Sequence, residues 1–200
     1  MYLKPLAAAV FAWILGICPA FGAWQVDSNG SDFHFVTTKA SKPGSLAIEE
    51  VQSFKDVKGK VGDDGIIDFS VNLASIDTNV PLRDQRIRDM IFNVAANPRA
   101  TFAGRVNAME LRKFAPGEVK DMELVGQMTI CGQTKPVIVK LRIVILSGNN
   151  IIASTRTPII VSASDFGIQI GVDALREIMG LNVLSSSVPV SFSVVFKAVR

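Results

Sequence analysis

The sequence predicts an all-β protein of about eight antiparallel strands, closed or nearly closed into a barrel or sandwich, with two short helices on its connecting loops. Three observations point there. Apolar and polar residues alternate with period two in run after run, turn-forming clusters separate the runs, and only two segments switch to a helical period.

Strands are expected near 24–39 and 46–58, followed by the hairpin signal "GDDG" at 62–65. The next, 66–75, sets Phe69, Val71 and Leu73 against Ser70, Asn72 and Ala74. A strand near 99–110 leads to a longer hairpin loop, "APGE" at 115–118. Strand 121–131 gathers Leu124, Met128 and Ile130 on one face; strand 136–147 sets Lys140 and Arg142 opposite Val139, Leu141 and Ile143. The turn "SGNN" at 147–150 introduces a strand over 150–163, and the last, 188–197, places Val188, Val190, Phe192, Val194 and Phe196 opposite Ser191, Ser193 and Lys197. Between these, Ile87, Met90, Ile91 and Val94 recur at helical spacing in 81–94, with Pro81 near the start where its missing N–H costs little. "VDALREIMG" at 172–180 reads as a second short helix closed by Gly180.

The chain opens with Lys4, an apolar run from Leu6 to Ile17, and small residues at Ala20 and Gly22, the pattern of an export signal occupying residues 1–22. The run is short for a membrane span, and a lipid-modified Cys18 is disfavoured by bulky Ile17 before it and Pro19 after it. The remaining barrel domain, 23–200, is long enough to bury a full core. Losing Lys4 lowers the formal charge from +3 to +2, and the charges are interspersed, so no nucleic-acid footprint appears. One cysteine, Cys131, remains, which excludes an internal disulfide and reads as a small buried hydrophobe.

An eight-stranded barrel either fills with side chains or holds one small ligand. Twelve Phe and six Met supply the apolar material, and Phe33, Phe35, Phe54, Phe69, Phe92 and Phe102 fall on or beside the expected strands. They either form a filled core or, with Met128 and Ile130, line an apolar pocket suited to an isoprenoid or acyl chain, with the Ile87, Met90 and Ile91 stripe covering one end. Catalysis is not visible. His34 is the single histidine, no second one completes a metal site, and neither a G-x-S-x-G elbow nor a phosphate-binding glycine loop is present. The expectation is no catalytic residue, no metal and no cofactor. A membrane-spanning barrel is disfavoured because Lys140 and Arg142 would face lipid.

"PLRDQRIRDM" concentrates Arg83, Asp84, Arg86, Arg88 and Asp89. On a helix, Arg83, Asp84 and Arg86 are expected to lie away from the apolar stripe as a solvated face, with Asp84 and Arg88 as an i, i+4 pair. The sharper alternative is an Arg–Asp pair held at the barrel rim to organise the mouth.

Two ordered motifs carry a resemblance. Ser75, Asp77, Thr78, Arg83, Asp84, Phe92, Pro98 and Phe102 fill the first, and Gly126, Thr129, Gly132, Thr134, Lys135, Pro136 and Val137 the second, with Met128 where Leu is usual. With "VQSFKDVKGKV" and "VPVSFSVVF", the mature chain resembles the YceI-like family of secreted, lipocalin-like proteins. The resemblance implies an eight-stranded antiparallel lipocalin-like barrel enclosing a long apolar tunnel for polyisoprenoids, isoprenoid quinones or fatty-acid-like amphiphiles. It also implies a periplasmic or secreted protein without stable membrane insertion, often a homodimer, in several cases associated with a membrane cytochrome of the b561 type. The chain departs from the family at Gln52 and Arg86, where relatives often carry histidine. The expected function is a non-enzymatic periplasmic carrier; the alternative is a filled-barrel interaction or stress-response module.

Overall fold

The computed structural model describes residues 22–199. The expected leader lies outside the described residues up to position 21. Twelve strands form one antiparallel sheet: β1 (Gly22–Ala40), β2 (Ile48–Phe54), β3 (Val57–Gly62), β4 (Ile66–Asn72), β5 (Ile76–Asp77), β6 (Arg99–Arg105), β7 (Val119–Ile130), β8 (Gln133–Ile145), β9 (Ile151–Thr155), β10 (Ile159–Ser162), β11 (Val183–Leu184) and β12 (Ser187–Ala198). Eight of them close a ring in the order β1–β3–β4–β6–β7–β8–β9–β12 and back to β1. This is the expected eight-stranded antiparallel barrel. Closure leaves the ring without free edges, so alternation alone decides what faces the interior.

The eight expected strands are present, but two of them are broken. Segment 46–58 divides into β2 and β3 where Lys55 and Asp56 hydrogen-bond to Ser75 and Asn72 instead of continuing the ladder. Segment 150–163 divides at Arg156–Pro158: Arg156 N–H donates to Lys140 O, and Pro158 has no N–H to offer. The breaks let β2 pair with the second half of β1, and β10 with the first half of β12, beyond the closed ring. Segment 99–110 is a strand only to Arg105. Asn107 then caps a one-turn helix α2 (Ala108–Leu111), its side chain accepting from Glu110 N–H. "GDDG" and "SGNN" form the expected turns, and "APGE" occupies the later part of the β6–β7 connection. The tight β7–β8 turn is Cys131–Gly132, both at positive φ, as a two-residue hairpin demands.

The charged segment is helical, as expected, and begins with Pro81. Helix α1 (Pro81–Arg86) runs directly into a π-helical stretch, Ile87–Phe92, that ends at Asn93 in the left-handed conformation (φ 44). Helix α3 (Gln169–Ile178) ends with Gly180 at φ 62. The π stretch and α3 touch at Gly171, where an added Cβ would lie 2.3 Å from Met90 O.

Candidate functional site

Inward-facing residues on every strand of the ring enclose a cavity of about 220 Å³, within about 1490 Å³ of atom-free space that includes its openings. The lining residues are apolar apart from Thr101, which is exposed and alternates with inward-facing Phe102 on β6. The lining on β12 runs from Val188 to Phe196, eight steps of about 3.3 Å, or about 20 Å of barrel axis at the usual strand tilt. That exceeds the roughly 15 Å that one leaflet of a bilayer gives an acyl chain. Buried Trp24, whose indole N–H donates to Asn149 O, lines the end remote from α1 and α3.

The side chains meet across strands because the register aligns them. Phe33 pairs with Phe192 (ring centroids 5.8 Å apart, planes 3° apart), and Phe69 stacks on both, at 6.1 and 6.4 Å. Phe54 links this group to Phe35 at 5.6 Å and to Phe92 at 6.2 Å. Offset stacks and tilted contacts at these distances hold rings in fixed orientations. Two glycines make room for Phe102. Gly104 and Gly126 are cross-strand partners, and a Cβ added at Gly126 would lie 2.3 Å from Phe102 Cζ and 2.5 Å from Ala103 O. The ring therefore lies flat on bare backbone and leaves the lumen open.

Phe33, Phe35, Phe54, Phe69, Phe92, Phe102, Met128 and Ile130 all line this cavity. Ile87 and Ile91 line a second one, about 110 Å³, at the helical end. Met90 packs against the core but lines neither. Phe92 reaches both cavities; it lies five residues after Ile87, at the far end of the π-helical stretch. Trp24, Phe192 and Phe196 also line the main cavity and were not expected at the site, although the alternation in "VPVSFSVVF" already places Phe192 and Phe196 on one face. His34 lies between two inward-facing phenylalanines and lines neither cavity. Among the described residues, no cluster of three or more His, Cys, Asp or Glu could hold a metal ion.

The expectation of a solvated charged helix face is overturned. Asp84 is buried and accepts from Thr78 N–H at 2.8 Å and Thr78 Oγ1 at 2.6 Å. Arg83 turns inward, pairing with Glu50 at 2.6 Å and donating to Thr78 O at 2.6 Å. Arg88 donates to Ala74 O rather than pairing with Asp84. The β5–α1 turn brings Thr78 against the first helical turn, a tertiary contact that a helical wheel does not contain. Glu50 also pairs with Lys39 at 2.9 Å. Desolvation raises the Glu50 carboxyl, but hydrogen bonds and charges from Lys39 and Arg83 outweigh it and hold the group below its ordinary value. Cys131 is half-buried with its Sγ 3.5 Å from Phe92 O, and desolvation pushes its thiol up.

Comparison with known proteins places these features in a family. The YceI-like domain pattern matches residues 24–196. A UPF0312 protein of Ectopseudomonas mendocina is 30% identical over 152 residues, 72% of this chain and 74% of that protein. A UPF0312 protein of Enterobacter sp. is 34% identical over 79 residues, 39% of this chain and only 37% of the relative's length. Among solved structures, a polyisoprenoid binding domain from Saccharophagus degradans superposes with TM-score 0.84 at 25% identity, over 90% of this chain and all of that one. BcnA of Burkholderia cenocepacia shares the fold, with TM-score 0.59 at 17% identity over 85% of this chain and 98% of its own.

Proposed function

Because the chain belongs to the YceI-like domain family, we propose that it is a non-enzymatic carrier holding one long apolar chain, a polyisoprenoid or comparable amphiphile, inside the barrel. The observation that carries this reading is the continuous lumen lined by apolar side chains from every strand of the ring. Its phenylalanines are fixed against one another and against glycine backbone, which keeps their rings along the wall of the lumen. This counts against the filled-barrel alternative. Each methylene moved from water into such a lining contributes about 0.8 kcal/mol, so length alone supplies affinity. The 25% identical Saccharophagus degradans domain, described as polyisoprenoid binding, supports the same ligand class. The proposal includes export to the periplasm with removal of residues 1–22.

The test uses Trp24, the single tryptophan once residues 1–22 are removed, as a reporter inside the cavity. Titration with phytol should shift its emission saturably, with an affinity nearly independent of salt. Phe102→Asp, which puts a charge against the lumen, should abolish the response, because an unpaired carboxylate cannot be desolvated by an alkyl chain. A folded Phe102→Asp variant that binds phytol like the parent would refute the lumen as the site.

A further inference from the structure

The inward faces of β1 and β2 change character along the barrel axis. On β1, Phe35 is followed by Thr37 and Lys39; on β2, Phe54 is preceded by Gln52 and Glu50, with Phe35 opposite Gln52 and Thr37 opposite Glu50. These polar residues, with Arg83 from α1, line one side of the second cavity. That cavity shares Phe35, Phe92, Val161, Ile168 and Val188 with the main one, so it is an antechamber to the apolar lumen. Polarity thus enters the continuous interior at one end, as an amphiphile's does.

Two buried polar atoms of antechamber-lining residues have no partner among the described residues: Gln52 Oε1 and Arg83 Nε. Gln52 is only 3% exposed, and its amide nitrogen reaches only Thr37 Oγ1, at 3.4 Å. Reversing the amide would exchange which atom meets Thr37 and still leave one unpaired, so the vacancy does not depend on how the amide is oriented. Buried polar groups are almost always hydrogen-bonded. Here an acceptor-and-donor pair is left open beside an apolar tunnel.

We propose that this antechamber recognises the ligand's head, and that the head is an uncharged, oxygen-bearing group, a hydroxyl being the simplest, hydrogen-bonded to Gln52 and to the Arg83 Nε–H. The inference rests on the lipid-carrier reading and adds the head-group chemistry. A phosphorylated head does not suit the site. Glu50 lies between the two cations lining it, within 2.9 Å of Lys39 and 2.6 Å of Arg83, and neutralises one of their two charges, leaving less than a phosphate would need. It stays ionised at neutral pH, held there by the same two partners against its desolvation. A phosphate would have to approach that carboxylate or pull the cations from it. A neutral hydroxyl needs neither.

Three probes with one branched skeleton decide the matter: phytol, its hydrocarbon phytane and phytyl diphosphate, each delivered from cyclodextrin and read by Trp24 emission. The expected order puts phytol about tenfold tighter than either of the others, the worth of two net hydrogen bonds. Gln52→Leu removes one of the two bonds, so it should cut the phytol advantage over phytane from about tenfold to about threefold and leave phytane unchanged. A diphosphate that binds tightest, or an unchanged phytol-to-phytane ratio in Gln52→Leu, overturns the inference while leaving the carrier reading standing. Failure of all three probes overturns the carrier reading and this inference with it. Should Gln52→Leu not fold, the order of the three probes on the parent protein decides alone.

Discussion

Gly126→Ala tests whether the lumen is held open by rings lying on bare backbone. The added methyl would sit 2.3 Å from Phe102 Cζ and 2.5 Å from both Phe102 Cε2 and Ala103 O. Nothing at those distances survives unchanged, and the ladder fixes Ala103 O, so the ring must swing into the cavity. Overpacking of this kind costs about 1–3 kcal/mol of stability. The displaced ring also takes the place of roughly three methylenes of ligand, about 2.4 kcal/mol at 0.8 each, which weakens binding roughly 50-fold. Phytol titration followed by Trp24 emission measures the loss, and chemical denaturation measures the stability. The double variant Gly126→Ala with Phe102→Ala removes the obstructing ring. It should recover most of the affinity while keeping part of the stability loss, because the clash with Ala103 O remains. Full affinity in a folded Gly126→Ala variant would refute the reasoning, since the ring would then have somewhere else to go.

Asp84→Ala leaves Thr78 N–H and Oγ1 without their buried acceptor, so urea unfolding should show about 2–3 kcal/mol lost; a loss under 0.5 would place Asp84 outside the supporting network. Glu50 is held below its ordinary carboxyl value of about 4.3, so its contribution is full above that value and fades as pH falls through and below it. Melting temperature between pH 6 and pH 3 should therefore fall more steeply in the parent than in Glu50→Gln; parallel curves would contradict this. In protein without residues 1–22, the raised thiol of Cys131 should react with a disulfide reagent at neutral pH at least tenfold more slowly than in the unfolded chain, and equal rates would show that its burial gives no protection. N-terminal sequencing of exported protein should begin at Ala23 or Trp24; a lipid-modified Cys18 would contradict the leader.

Alternation made most of the lumen legible in the sequence. A closed antiparallel barrel leaves each side chain two choices, and the phenylalanines on β1, β2, β4, β6 and β12 all take the dry one. The strand breaks were less legible, because Lys55–Asp56 is stopped by Ser75 and Asn72, nearly twenty residues away. Burial of Asp84 depends on where Thr78 lands, and the inward turn of Arg83 depends on Glu50 across the sheet. The antechamber was hidden for a similar reason. Gln52 and Glu50 are ordinary polar strand residues until the β1–β2 register sets them beside Phe35 and Thr37. The helical stripe at α-helical spacing includes Met90, whereas in the π-helical stretch Phe92 joins Ile87 in the antechamber lining and Met90 lines neither cavity.

Native mass spectrometry of protein purified from the periplasm of its own source tests the central claim most directly. The account predicts one adduct per chain that survives desalting and, on denaturation, releases a long-chain lipid with an uncharged polar head. Protein that carries no adduct, and that still takes up no phytol after extraction and refolding, would contradict the reading of the barrel as a carrier.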